Sequence, residues 1–269
     1  MRLTFLGTGT SHGVPMIGCQ CDVCTSPDPK NHRLRTCLLI QHDGTSVVID
    51  TGPEFRLQAL RARLDHLDAV LLTHAHSDHI MGLDDVRAFT MRQGTSMPVY
   101  GSPATLGEVR HRFSYAFTDG PEGGGKPKIE LCPVDTPFTH GSLRITPLDV
   151  RHGREIDIVT AFRVTARDGG PSFAYVTDTN GIPPKAMARL RGLDVLILDA
   201  LSPNLSPTHF SLTEAVSVAQ ELAATRTLFT HMSHALEHER TNASLPATFA
   251  LAYDTQVVEL GSRTGTAGD

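Results

Sequence analysis

The sequence predicts an α/β fold in which two mixed β-sheets lie face to face with helices outside them, an αββα sandwich. Three observations favour this fold. Strand-like segments crowd the first fifty residues, helices and strands alternate after residue 53, and the same mixture returns from residue 129 onward. The 269 residues, 40% of them hydrophobic, can bury a large core. We therefore expect a single domain over residues 1–269.

The first half of the chain contains five strand-like segments, at Arg2–Leu6, Cys37–Gln41, Ser46–Asp50, Leu67–Leu72 and Pro98–Gly101. Asp43-Gly44 lies between the second and the third, and this dipeptide is typical of a tight hairpin. One predicted helix runs from Pro53 to about Leu64, and another runs towards Ala88. The hairpin, followed by alternating helices and strands, predicts the first β-sheet of the sandwich and its outer helices.

The second half predicts another layer, with strands at Leu143–Val150, Thr160–Thr165, Phe173–Thr177, Val195–Leu198 and Thr227–Thr230. Helices are expected at Pro183–Leu190 and Ser211–Leu222. Between the halves, Thr118–Lys128 contains three consecutive glycines and is expected to be a loop. That loop is either a plain surface connection or a lid over the substrate.

The segment His74-Ala75-His76-Ser77-Asp78-His79 concentrates four metal-ligand side chains at the end of a predicted buried strand. Functional sites collect at strand ends in α/β proteins. His74 and His76 point the same way on an extended chain and can share one ion, whereas Asp78 and His79 lie beyond the turn and suit a second. The alternative is a polar helix cap with solvated histidines. The density of donors favours metal binding.

A site with two metals needs further donors, and later strand ends offer three of them. His152 follows the strand that ends at Val150, Asp178 follows Phe173–Thr177, and His231 follows Thr227–Thr230. Each residue alone is commonly a turn residue. Together with the histidine-rich segment they become candidate ligands.

This order of residues resembles the metallo-β-lactamase superfamily, whose His-x-His-x-Asp-His motif is followed by a His, a bridging Asp and a final His. The resemblance implies that His74, His76 and His152 hold one metal, that Asp78, His79 and His231 hold the other, and that Asp178 bridges the two. Asp50 matches the Asp that follows an early strand of the family, and it is expected to orient a ligand. A turn-capping role for Asp50 is the alternative.

Three cysteines, Cys19, Cys21 and Cys24, occupy a loop at about residues 18–25. Their spacing fits a tetrahedral Zn²⁺ that lacks its fourth ligand, whereas the alternative is three buried thiols. With His231-Met232-Ser233-His234, the pattern resembles the phosphoribosyl cyclic phosphate phosphodiesterase branch, in which His234 would complete a structural zinc site. Proteins of the quinone-cofactor biosynthesis protein B branch share the cysteine pattern.

His209 stands just before the helix that begins at Ser211. It matches a histidine that lies over the bound phosphate in the phosphodiesterase branch, and the resemblance implies a general acid. The alternative is a plain helix-entry residue, with Ser211 as the cap. The expected catalytic group is therefore His209 with Asp78 and Asp178.

These matches imply a phosphodiesterase that cleaves a small cyclic phosphodiester such as phosphoribosyl 1,2-cyclic phosphate with a hydroxide shared by two metals. The imidazole and carboxylate donors accept zinc, manganese or iron. Four other functions stay open: hydrolysis of a thioester, hydrolysis of a lactone, tRNA 3′ processing, and a non-catalytic binding role like that of the quinone-cofactor relatives. The complete ligand set favours catalysis.

The formal net charge of −5 and the absence of a basic run argue against nucleic-acid binding, so a small-molecule substrate is expected. Neither an export signal nor an apolar run of membrane-spanning length is recognisable, and five cysteines suit metal ligation in a reducing compartment. We expect a cytoplasmic protein without membrane contact. The resemblance suggests a homodimer.

Overall fold

Two seven-stranded β-sheets face each other in the computed structural model, which describes residues 1–118, 125–153 and 158–261. Helices cover the outer face of each sheet. Both sheets mix parallel and antiparallel pairs. The αββα sandwich predicted from the sequence is confirmed.

The first sheet contains β1 (Arg2–Gly7), β2 (Cys37–His42), β3 (Thr45–Ile49), β4 (Ala69–Leu71), β5 (Met97–Gly101), β6 (Ile129–Pro133) and β14 (Val257–Glu259). Its order is β14-β1-β2-β3-β4-β5-β6, and it is parallel from β3 to β6. The predicted hairpin turn lies between β2 and β3, where Asp43 and Gly44 have φ values of 42° and 77°. Two positive φ angles are what a two-residue turn of the primed type requires.

The second sheet contains β7 (Phe138–His140), β8 (Leu143–Arg151), β9 (Ile158–Ala166), β10 (Ser172–Val176), β11 (Val195–Asp199), β12 (Arg226–Thr230) and β13 (Phe249–Leu251). Its order is β13-β12-β11-β10-β9-β8-β7. The strands from β10 to β13 are parallel, and those from β7 to β10 are antiparallel. In both sheets the parallel strands therefore direct their carboxyl ends to one edge.

Strand alternation divides the core into three layers. Side chains of one parity, such as Phe5 and Ile49, pack between the sheets against Phe162 and Tyr175. Their neighbours of the other parity, such as Val48, face the helices of the first sheet. A strand buried on both faces must be apolar at consecutive positions, which explains the continuous apolar runs in the sequence.

Seven α-helices are assigned within the described ranges, at α1 (Phe55–Arg61), α2 (Ser77–Ile80), α3 (Arg87–Gln93), α4 (Pro103–Arg112), α5 (Pro184–Arg189), α6 (Leu212–Leu222) and α7 (His238–Asn242). Ser211 begins α6 with a capping box, since its hydroxyl accepts from the Glu214 amide while Glu214 accepts from the Ser211 amide. This helix start agrees with the sequence prediction.

The helix predicted to run towards Ala88 is interrupted. It ends at Ile80, a 3₁₀ turn follows at Leu83–Val86, and α3 begins at Arg87. A side chain at Gly82 would collide with the Gly52 carbonyl, so this close approach of two backbones sets the break. The predicted loop at Thr118–Lys128 falls mainly on residues 119–124, which lie outside the described residues. Within the described ranges, no helix has the length and apolarity needed to span a membrane.

Candidate metal centre

Polar side chains from both sheets meet at one edge of the sandwich. Asp50 follows β3, His74 lies three residues after β4, Asp178 lies two residues after β10 and His231 directly follows β12. His152 follows β8, which pairs antiparallel with β9. The fold thus gathers at one place the ligand candidates that the sequence placed at strand ends.

A first group consists of His74, His76 and His152, whose ligand nitrogens lie within 4.8 Å of one another. His74 and His152 are buried, whereas His76 is exposed. Burial lowers the pKa of His74 and of His152, which keeps both imidazoles neutral near pH 7. Neutral imidazole is the form that binds a metal ion.

A second group consists of Asp78, His79, Asp178 and His231. His79 Nε2 lies 3.3 Å from Asp78 Oδ2, and His231 Nε2 lies 3.7 Å from the same oxygen. His79 and His231 are almost completely buried. Two imidazoles and a carboxylate therefore converge where the sequence placed the second ion.

Asp178 lies between the two groups. Its Oδ1 is 4.0 Å from His74 Nε2 and 3.3 Å from His231 Nε2, while its Oδ2 is 3.2 Å from His79 Nε2. Burial raises the pKa of this carboxyl, but the neighbouring His231 and His79 outweigh burial and bring the pKa well below its usual value. The carboxylate is therefore ionised and able to serve both groups.

The donor atoms fit divalent cations because several of them are buried and form no hydrogen bond with the described part of the chain. The Nε2 atoms of His74, His79 and His231 are inaccessible to solvent and have no hydrogen-bond partner among residues 1–118, 125–153 and 158–261. A buried polar atom without a partner costs free energy, and such atoms are rare in folded proteins. The mixture of imidazole and carboxylate suits zinc, manganese or iron. These residues could hold one cation in each group.

Hydrogen bonds fix the orientation of the histidines. Nδ1 of His79 lies 2.7 Å from Asp50 Oδ2, and Nδ1 of His152 lies 3.0 Å from the Thr208 carbonyl. Asp50 also accepts from the Thr73 amide and hydroxyl. Because both acceptors are oxygens, Nδ1 would carry a hydrogen in each ring and Nε2 would be the nitrogen that binds a cation. Asp50 is thus placed where it would orient His79.

His209 lies against the same centre. Its ring stacks on His231 with centroids 4.8 Å apart, and it lies 4.9 Å from the His152 ring. Its Nδ1 is 2.8 Å from Oδ2 of Asp199, a fully buried residue at the end of β11. Asp199 is not predicted as a site residue from the sequence, although its position directly after the apolar run Val195–Leu198 is a usable signal.

The cysteine loop forms a separate cluster in which Cys19, Cys21, Cys24 and His234 place their ligand atoms within 4.8 Å of one another. Nδ1 of His234 lies 3.4 Å from Cys19 Sγ and 3.2 Å from Cys21 Sγ. The hydrogen bond with His234 lowers the pKa of Cys21 to about 6. Three sulfurs and one imidazole are a donor set that fits tetrahedral zinc.

Arg33 attaches this cluster to the body of the fold. Its buried guanidinium donates to the carbonyls of Ser233 (2.8 Å) and Leu236 (2.6 Å), on either side of His234. His231 lies three residues before His234. The cysteine cluster and the metal centre therefore each take one candidate ligand from the same short segment of chain.

Comparison with known proteins places the chain in a family. The sequence-family model described as the beta-lactamase superfamily domain matches residues 45–232. A crystal structure of a diphosphatase from the PhnP family is 42% identical, with a TM-score of 0.87, and the match covers 96% of this chain and 97% of that one. The Zn²⁺-bound PqqB of Methylobacterium extorquens shares the fold, with a TM-score of 0.79 at 19% identity and coverage of 97% of this chain and 100% of that one.

An octanoyltransferase of Porphyromonas gingivalis is 36% identical over 259 residues, which cover 94% of this chain. The chain spans only 50% of the length of that relative. The donor groups and the family match together indicate a metal-binding hydrolase. Since the family model covers most of the chain and the PhnP-family diphosphatase matches nearly all of it, the chain belongs to the metallo-β-lactamase superfamily, within its PhnP branch.

Proposed function

We propose that this protein is a phosphodiesterase that uses two divalent cations to hydrolyse a phosphodiester. The observation that carries the proposal is the position of Asp178, whose two carboxylate oxygens face His74 and His231 on one side and His79 on the other. A carboxylate shared in this way keeps two cations close together. Paired cations are a common device for cleaving phosphate esters.

In this proposal His74, His76 and His152 would hold one cation and Asp78, His79 and His231 would hold the other, with Asp178 available to both groups. Bound cations lower the pKa of water and neutralise the phosphate oxygens as negative charge develops. The donor set accepts zinc, manganese or iron. A third ion, a structural Zn²⁺, would be held by Cys19, Cys21, Cys24 and His234.

The residues of the chain itself supply orientation and a proton. Asp50 fixes the His79 ring from behind, and the Thr208 carbonyl fixes His152. His209 donates an Nδ1–H hydrogen bond to Asp199, so Nε2 is the nitrogen that would protonate the departing alkoxide; the protonated ring would supply that proton and end as the neutral imidazole. Proton donation by a positioned imidazole contributes about 10²- to 10⁴-fold to the rate of such reactions.

The substrate expected from the sequence is a small cyclic phosphodiester such as phosphoribosyl 1,2-cyclic phosphate. A diphosphate is a second candidate, which the 42% identity to a PhnP-family diphosphatase favours. Both reactions need a nucleophile directed at phosphorus and a proton for the leaving oxygen. Acyl transfer is not proposed, since the chain spans half of the octanoyltransferase that it matches.

The test is hydrolysis of bis(p-nitrophenyl) phosphate by protein loaded with Zn²⁺ or Mn²⁺. We expect turnover that disappears after chelation, returns on adding the metal back, and is absent in Asp178→Ala. A parallel panel of a thioester, a lactone and a tRNA precursor checks the other functions. Activity that persists in the chelated Asp178→Ala variant would defeat the proposal, and turnover confined to the thioester or the lactone would replace it.

A further inference from the structure

A cavity of about 1030 Å³ opens beside the first histidine group. His74, His76 and His152 form part of its wall, and the remainder comes from α4, the segment after β6, the strands β8 and β9, and α5. The cavity is therefore continuous with the place where the proposed function puts the reacting phosphorus. Any part of the substrate that extends from the phosphorus on this side must occupy it.

The volume of the cavity is informative about substrate size. Sites of about 300 to 1,000 Å³ bind drug-sized molecules. A single sugar ring carrying a cyclic phosphate is much smaller than such molecules and would leave most of this cavity filled with water. The volume therefore favours a substrate with a large group attached to the phosphate.

Much of the wall is apolar, and its contributors are Pro103, Ala104, Val134, Pro137, Pro147 and Leu148. Proline, alanine and leucine side chains offer no hydrogen bonds, so they favour an apolar surface of the ligand. A planar ring system can bury both of its faces against such walls. The ester group that enters the cavity is thus expected to carry a ring of this kind.

Two positively charged side chains lie on the α5 wall. Lys185 and Arg189 are four residues apart on this helix, both line the cavity, and both are exposed. Neither forms an ion pair with a described residue. Arg112, on the α4 wall, differs because it pairs with Glu108 at 3.1 Å and donates to the Ala75 carbonyl.

Asp135 and Asp149 add negative charge to the walls formed by the segment after β6 and by β8. An anionic group inside the cavity is repelled from those walls and attracted to α5. A second anionic group of the ligand should therefore lie against α5 and away from Asp135 and Asp149.

Resting on the proposed function, we propose that the substrate is an extended phosphodiester that carries a planar ring system and a second anionic group. The reacting phosphorus lies at the histidine groups, the ring packs on the apolar wall, and the second anion binds Lys185 and Arg189. This substrate class is larger than the compact cyclic ester expected from the sequence.

Three p-nitrophenyl phosphodiesters test the proposal on the metal-loaded protein. They carry a methyl group, a 5′-thymidine group, or a 5′-thymidine group with an added 3′-phosphate. We expect kcat/KM to rise by about tenfold from the methyl to the thymidine ester, and by about tenfold again with the 3′-phosphate, mainly through a lower KM. Equal kcat/KM for the methyl and thymidine esters would overturn the proposal.

Two variants assign the parts of the cavity. Lys185→Ala/Arg189→Ala should reduce the ratio between the two thymidine esters to near one, and Ala104→Phe should reduce the ratio between the thymidine and methyl esters. The matched control is Arg144→Ala/Arg226→Ala, which removes two exposed cations that do not line the cavity and should keep both ratios. A 3′-phosphate effect that survives Lys185→Ala/Arg189→Ala refutes the assignment of the anion site.

Failure of the proposed function is recognisable separately, since none of the three esters would then be hydrolysed. Titration calorimetry with thymidine 3′,5′-bisphosphate still tests the cavity in that case. Binding to the metal-loaded protein that weakens about tenfold in Lys185→Ala/Arg189→Ala supports the anion site. Absent binding, or equal binding by the variant and the parent protein, contradicts it.

Discussion

The carboxylate of Asp199 lies 2.8 Å from Nδ1 of His209 and also accepts the Thr179 amide at 2.8 Å. Asp199 therefore links the chain that follows Asp178 to the histidine proposed as general acid. Its other oxygen lies 3.7 Å from Nδ1 of His231 and forms no hydrogen bond with any residue that the structure describes. One buried side chain thus contacts three parts of the centre, which makes it a positioning residue.

His209→Ala should slow hydrolysis of a diester with an alkoxide leaving group by about 10²- to 10⁴-fold. The same variant should slow a p-nitrophenyl ester far less, because p-nitrophenolate is stable without a proton. The measurement is kcat for methyl and p-nitrophenyl esters of one phosphate. An equal loss on both leaving groups would contradict the role of proton donor.

Asp199→Asn should reproduce the leaving-group dependence of His209→Ala in weaker form. The amide oxygen can still accept from Nδ1 but carries no charge, so it holds the Nδ1 hydrogen and the ring orientation less strongly than the carboxylate does. Metal content, measured by elemental analysis, should stay at the parent value. A variant that loses metal along with activity would instead assign Asp199 to ligand support through His231.

Asp50→Ala should weaken metal binding by about 10- to 100-fold, the usual effect of removing a carboxylate behind a histidine ligand. His79 would lose the acceptor that fixes its Nδ1 hydrogen. Competition with a chromophoric chelator measures the affinity. Thr73→Val is the comparison variant: it keeps Asp50 but removes a hydroxyl that donates to this carboxylate and lies 3.0 Å from Nδ1 of His74, and it should have the smaller effect. An affinity that is unchanged in Asp50→Ala would leave this carboxylate as a turn cap.

Cys21→Ser should remove one zinc ion per chain and lower Tm. The cysteine loop would then be released from His234, which lies three residues from His231. Loss of a structural zinc ligand costs folding free energy directly. Cys132→Ser is the control, because Cys132 is half-buried on β6 and belongs to neither donor group nor to the cysteine cluster. Unchanged zinc content in Cys21→Ser would refute the structural zinc.

The sequence predicts the donors of this centre because they form one dense motif and three strand ends, and strand ends can be recognised from apolar runs. It does not predict Asp199, since a single aspartate after a strand is commonly a turn residue. Its partner His209 comes from a loop that only the tertiary fold brings near. The positive φ values of Asp50, Asp178 and His231, at 63°, 52° and 58°, are also invisible in the sequence.

The sequence does not predict the helix α4, and the reason is local. Its sequence contains Gly107 and no regular apolar stripe, and its stability comes from packing of Leu106 and Val109 on the first sheet and from the Ser102 cap. The sequence does not predict the strands β7, β13 and β14 either. The three-residue lengths of these strands give no alternation to recognise. The cavity wall depends on α4, so its shape could not be foreseen.

We expect the free energy of unfolding to depend on pH through Asp254, a buried carboxyl that belongs to neither donor group of the metal centre. It is buried and accepts from the Thr8 hydroxyl and the Leu34 amide, and burial raises its pKa to about 6. An unfolded aspartate titrates near pH 3.9. The folded protein therefore binds this proton more tightly, so the associated stability is present below about pH 4 and is lost as the pH rises through 6.

Urea unfolding of the parent protein and of Asp254→Asn between pH 4 and pH 7.5 measures this effect. The amide cannot titrate, and its NH₂ group opposes the Leu34 amide, which adds a cost that does not depend on pH. The free energy of unfolding of the parent, minus that of the variant, should fall by about 2 kcal/mol from pH 4 to pH 7. Loss of metal at low pH affects both proteins and cancels in the difference. A difference that stays constant with pH would mean that Asp254 is already ionised at pH 4 in the folded state, held so by Arg61, which lies 3.5 Å away.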